Sequence, residues 1–303
     1  MHPAPPACLS PGFALTPLSL YALGSFAGRN PRADSEFPSR RHDPTHAGTA
    51  RMIALLQPFF REDWRPYAET VQLGAPPVGG RMAAALLGDP AGLADALARH
   101  RRHWSDADPR AVASAWAMSY LWTLLPPVAA AASGARHALP ARHDAMWVEL
   151  DGNAAPVRFH IPELGAPDPG GDVWRRYEAL VWHHLLPLAD ALFHASRLPR
   201  KVVWGGAVRY LEVVLKAVET QTQGTAASDA VRQDRLALLE HPWWGPADDE
   251  RANPLCLPPR TSRGPGPAVM LHRECCLYHL LPTAQYCAAC PLAPQHRAAA
   301  KPR

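Results

Sequence analysis

The chain has no run of five like charges, and its net charge of +4 is small for 303 residues. Nothing in it asks for nucleic acid as a partner, and the scattered arginines read as a solvated surface. A secretory leader is not expected either. The first eleven residues are rich in proline and hold no Lys or Arg, so the basic-then-apolar order of a signal is absent and a cytoplasmic protein is expected. Cysteine is scarce, six residues in all, and Cys8 and Cys256 stand far from the other four. That is not the framework of a disulfide-stapled extracellular domain, and it favours a reducing compartment. No Gly-x-Gly-x-x-Gly loop and no triad-like arrangement occurs, so neither a phosphate cradle nor an activated nucleophile is on offer.

Long apolar runs are nearly absent as well. Residues 111–132 carry no charge, but Pro126 and Pro127 are expected to split them into pieces of fifteen and five. A spanning helix needs about twenty residues, so a buried core helix is expected, packed through Trp116, Tyr120 and Trp122. No membrane span follows, although peripheral membrane association stays compatible with the sequence.

With 48 % hydrophobic residues, the chain can bury a full core without staples. Residues 1–50 show no sustained period and are expected to be a disordered extension, which an upstream start codon would account for. Short helical pieces broken at Pro58 and Pro66 are expected over 52–73, a helix over 81–87, and another over 89–104 capped by Asp89. Asp108 before Pro109 repeats that start. Residues 146–150 and 157–161 alternate around Asp151, Gly152 and Asn153 and predict a β-hairpin. Asp172 then caps a helix kinked at Pro187, and a further helix begins near Pro199. Gly205 and Gly206 lie early in it, where each costs about 1 kcal/mol relative to alanine; they suggest close approach of backbone or ligand. A polar loop over 220–228, a helix over 228–240, a proline-rich boundary over 242–267 and a short strand over 268–273 complete the reading. The expected class is α+β: a predominantly helical body with a small β-hairpin and a C-terminal cysteine-rich module.

That module holds Cys275, Cys276, Cys287 and Cys290 within sixteen residues. Only Cys287 and Cys290 form a Cys-x-x-Cys knuckle, whereas structural zinc usually draws on two. Adjacent cysteines point apart on an extended chain, a geometry that a two-iron cluster tolerates more easily than one small ion. Spacing alone leaves zinc open beside an iron–sulfur cluster.

Arg273, Glu274, Cys275, Cys276, Tyr278, Leu281, Pro282, Cys287, Cys290 and Pro291 together resemble the C-terminal signature of the FhuF-type siderophore-iron reductases. The resemblance runs upstream through Leu124 to Pro127, Lys201 to Trp204, and Asn253 to Leu255. One departure is Gly206, where the family commonly has asparagine. The resemblance implies a 2Fe-2S cluster on the four cysteines and one-electron reduction of a ferric siderophore, with release of Fe(II). It also implies an electron donor that the sequence does not name. Residues 51–250 would then be the siderophore-reductase-like body and 251–303 the 2Fe-2S module, with Trp204 and Arg273 as candidate substrate contacts. His272, His279, His296 and Arg297 flank the ligands as a basic surface, and His183 and His184 read as ordinary packed histidines. Trp204, Trp243 and Trp244 read more readily as core than as a pocket wall. The family's helical body further resembles part of the siderophore synthetases. Two other classes share the sequence evidence: an iron–sulfur electron carrier or sensor without substrate, and a structural zinc module.

Overall fold

Residues 111–132 are too apolar to be left in water, and the fold is built around them. A computed structural model describes residues 52–297, apart from 77, 103, 105, 246–250, 265–267 and 283–284. The expected extension over 1–50 lies outside the described residues. The order is 3₁₀ turns at Ala54–Phe59 and Glu62–Trp64, α1 (Arg65–Ala68), β1 (Val71–Leu73), β2 (Arg81–Met82), α2 (Ala83–Leu87), α3 (Pro90–Arg101) and α4 (Pro109–Ala129). There follow β3 (His137–Ala138), β4 (Trp147–Leu150), β5 (Pro156–Ile161), β6 (Ala166–Pro167), α5 (Val173–Leu180), α6 (Leu186–Ser196), α7 (Arg200–Gln221), α8 (Ala226–Glu240), β7 (Arg260–Thr261) and β8 (Met270–Leu271). The class is α+β, as expected.

Aspartates set the helix starts. The carboxylates of Asp89, Asp108 and Asp172 accept from the N–H groups of Ala91, Arg110 and Arg175 at 3.1, 2.9 and 2.7 Å, which satisfies donors that a first turn leaves open. Asp151 does the same for the hairpin, accepting from Asn153 and Ala155 so that β4 and β5 pair antiparallel with Val148 opposite Phe159. The hairpin is the centre of a four-stranded sheet, β1-β5-β4-β2. Its outer strands fall where helix was expected, in 52–73 and at Arg81. Strands of two or three residues show no periodicity and exist only because β5 and β4 offer edges to pair with.

The two prolines do not split the apolar helix. α4 runs unbroken through Pro126 and Pro127 and ends in a π turn at Ala130–Gly134. Proline's fixed φ suits a helix; what it removes is a donor, here for the Thr123 carbonyl. The Thr70 hydroxyl lies 2.7 Å from that carbonyl and 2.8 Å from that of Tyr67, so its proton serves both. Pro187 is handled in the same way. The widening lies one turn earlier, in a π turn at Val181–Leu185, and the carbonyl of His183 accepts from the backbone N–H of His143 at 2.9 Å and from its ring Nδ1–H at 2.6 Å. Thr70→Val keeps the shape and removes the donor. It is expected to cost about 1–3 kcal/mol in denaturant unfolding, and an unchanged midpoint would show that the carbonyl needs no such partner.

α4 is buried along most of its length, and among the described residues no helix is long and apolar enough to cross a membrane. It packs side by side with α7. Gly206 makes this approach possible, since a Cβ there would sit 2.9 Å from Met118 Sδ and 3.0 Å from Leu121 Cδ1. His184 is fully buried beneath the sheet, where its Nδ1–H donates to the Ala141 carbonyl (3.0 Å) and its Nε2 accepts from Tyr120 (2.6 Å). Desolvation pulls its pKa down to about 3, so it is a neutral core histidine.

Candidate metal centre

The chain after α8 is held by side chains that reach backbone carbonyls. Asn253 is buried and donates to the Leu238 and His241 carbonyls (2.9 and 2.8 Å), closing the end of α8, while its oxygen accepts from Leu255 N–H (3.0 Å). Arg273 donates to the carbonyls of Leu239 (3.1 Å) and Leu257. These contacts fix the segment that enters the cysteines. Glu274 is then paired with Arg260 (3.0 Å) and Lys201 (3.6 Å).

Glu274 rests directly on Gly205 of α7, in space that any Cβ would fill. Of the two glycines, one therefore serves the α4–α7 contact and the other lets the cysteine segment lie on the helix. From the far side, the Ser114 hydroxyl of α4 donates to the Cys276 carbonyl (2.6 Å), and Leu281 packs on Ala107, Ala111 and Val112. Both long core helices thus position the module.

Leu277 adopts a left-handed conformation (φ 58°), which reverses the chain after the adjacent cysteines. The reversal aims amides at sulfur: Leu277 N–H donates to Cys275 Sγ (3.3 Å), and Tyr278 N–H donates to Cys276. A tight turn over Cys287 to Cys290, closed by Cys290 N–H to the Cys287 carbonyl (2.9 Å), returns the second pair.

The four thiols meet as two crossed pairs. Cys275 and Cys290 are buried, with Sγ atoms 4.0 Å apart; Cys276 and Cys287 are half-buried and hydrogen-bonded to each other. His279 adds Nδ1 at 3.7 Å from Cys275 Sγ, so that the ligand atoms of Cys275, His279 and Cys290 all lie within 4.8 Å of one another. Its ring is stacked on Tyr286 at 4.8 Å.

Protonation follows from this packing. Burial pushes the Cys275 thiol up to about 12. The hydrogen bond from Cys287, with the Arg209 charge assisting, brings Cys276 down to about 5, while the same bond pushes Cys287 up. Burial and Arg209 bring His272 down to about 3. The bond between the two thiols and the Arg209 charge thus favour the thiolate on the Cys276 side of the pair. Two thiol pairs with N–H donors already on two sulfurs suit a two-metal sulfur cluster, since each pair can serve one metal and anionic sulfur is met by donors.

The sequence model of the family described as "Ferric iron reductase FhuF-like transporter" matches residues 114–264. The chain belongs to the FhuF-like family. The matched region takes in α4 from Ser114 onward, the hairpin, Gly205 and Asn253, and it ends before Cys275. No curated protein matches the chain. Among solved structures, the ATP-bound aerobactin synthetase IucA from a hypervirulent pathotype of Klebsiella pneumoniae is similar at 14 % identity, with a TM-score of 0.43, over 66 % of this chain. The chain spans 47 % of that synthetase's length.

Of the other residues singled out in this FhuF-like sequence, Trp204 is 8 % exposed and packs into the main core, as does Trp244. The guanidinium of Arg273 is engaged with backbone carbonyls. His296 donates to the Ala288 carbonyl (2.7 Å) and braces the Cys-x-x-Cys turn. Arg209 and Ser114 have no signature in the sequence, although Arg209 stands one helical turn after Gly205.

Proposed function

We propose that this FhuF-like chain reduces siderophore-bound Fe(III) to Fe(II) in the cytoplasm, with Cys275, Cys276, Cys287 and Cys290 as ligands of a 2Fe-2S cluster. The observation that carries the reading is the gathering of four thiols in two crossed pairs against the family's helical body. When bound, such a cluster supplies one electron, and one electron is enough to turn ferric iron held by hard oxygen donors into ferrous iron, which those donors hold far less tightly. Leu277 and Tyr278 contribute amide donors that stabilise negative charge on sulfur. Ser114, Leu281 and Gly205 hold the ligand segment against α4 and α7. Cys276 and Cys287, half-exposed, form the side from which an acceptor or a separate electron donor can approach. Residues 51–250 would act as the docking body and 251–303 as the redox module.

The Cys275, His279 and Cys290 grouping favours a second reading, a structural zinc site. The two readings differ in what anaerobically purified protein contains. About two irons and two acid-labile sulfides per chain, lost in Cys287→Ser, are expected; stoichiometric zinc without sulfide would sink the cluster. Mixing dithionite-reduced protein with ferric hydroxamate, catecholate or citrate chelates then separates a reductase from a carrier or sensor. Reoxidation faster than in buffer alone is expected for at least one chelate, and its absence for all three would leave only the carrier or sensor.

A further inference from the structure

Arg209 is a cation delivered to the thiols by the helical body. It lies on α7 four residues after Gly205, and residues at that spacing share one helix face. Because Gly205 has no Cβ, the chain at Glu274 lies directly on this face, Ser114 of the neighbouring α4 holds Cys276 by its carbonyl, and the next turn of α7 presents Arg209 toward that residue. Its Nε is buried and has no partner of its own. Glu274 is occupied by Arg260 and Lys201, and among the described residues no carboxylate is paired with Arg209. Its charge is therefore left to act on Cys276, and it reaches Cys287 and His272 as well.

We propose that Arg209 is a positioning residue for the metal centre: it fixes the Cys276 ligand by a hydrogen bond to sulfur and raises the reduction potential of a bound cluster. This rests on the cluster reading above. Adding one electron to a thiolate-ligated cluster adds one negative charge, and a fixed cation at a ligand sulfur stabilises the product more than the starting form. Arginine keeps its proton throughout, so the effect is electrostatic and involves no proton transfer. Gly205 belongs to the same device, because without the close approach it allows the arginine would fall short of the sulfur.

The test compares wild type, Arg209→Gln and Arg209→Lys by iron and sulfide content, dye-equilibrated redox titration and the paramagnetic spectrum of the reduced protein. Loaded Arg209→Gln is expected to favour the oxidised form by about tenfold at a fixed poise, a potential lower by about 59 mV, with an altered spectrum. Loaded Arg209→Gln with wild-type potential and spectrum overturns the proposal while leaving the cluster reading intact. Wild type without iron and sulfide overturns both. If Arg209→Gln retains no cluster, Arg209→Lys decides: it keeps the charge but not the planar fork, so a changed spectrum supports the positioning role and a wild-type spectrum and potential overturn it.

Discussion

Asp234→Ala is expected to destabilise the protein by about 3–5 kcal/mol, measured as a fall in the denaturant midpoint at constant slope. Asp234, on α8, accepts from Arg176 of α5 through both oxygens at 3.0 Å and from Arg136 at 2.8 Å. The Arg176 side chain is 1 % exposed, so it cannot recover hydration when its partner is removed. Besides Asp234, it has the Gly171 carbonyl. A buried pair can often be exchanged for well-packed apolar groups at little cost, but deleting one member strands the other charge in low dielectric. Arg136, 29 % exposed, can turn to water, so Arg136→Ala is expected to cost no more than about 1 kcal/mol. Equal effects of the two substitutions would mean that Arg176 is not stranded. The pair stands between α5 and α8, away from the cysteines, so the folded variant should bind metal as wild type does.

Gly205→Ala is expected to impair metal loading, and Gly206→Ala is not. At Gly205 the new Cβ would overlap the Cβ of Glu274, close to the backbone, and relief requires the segment entering Cys275 to move off α7. Overpacking of this kind typically costs about 1–3 kcal/mol, and here the displaced element carries Cys275 and Cys276. At Gly206 the neighbours are the far ends of Met118 and Leu121, which can give, and alanine's higher helix propensity returns about 1 kcal/mol. Metal content and thermal midpoint, read side by side, decide the matter. Full loading in Gly205→Ala would show that the glycine is not what seats the module, and would also remove the route by which Arg209 reaches sulfur.

Local chemistry was legible wherever its cause is local. The caps at Asp89, Asp108 and Asp172 follow from a carboxylate beside a helix start. The hairpin follows from Asp151 and alternation on either side of it. The cysteine spacing by itself marks a candidate ligand set, and the FhuF resemblance anticipated the family that the match over 114–264 shows. The α+β class could be read from the same patterns.

Tertiary structure decided what the prolines and glycines do. Pro126, Pro127 and Pro187 announce missing donors, and a local reading ends or kinks a helix at each. Whether the helix continues depends on donors far away in the chain, Thr70 for one carbonyl and His143 for another, and no local pattern encodes them. Gly205 and Gly206 likewise announce close approach without naming the neighbour, which proves to be Glu274 for one and α4 for the other. The crossed pairing of Cys275 with Cys290 and Cys276 with Cys287, and the presence of Arg209 beside them, are of the same kind. Sequence specifies which groups a residue can donate, accept or make room for, because those are properties of one side chain and its neighbours. Which partner meets them is set by packing between α4, α7 and the terminal module, because that is where long-range burial brings the groups together.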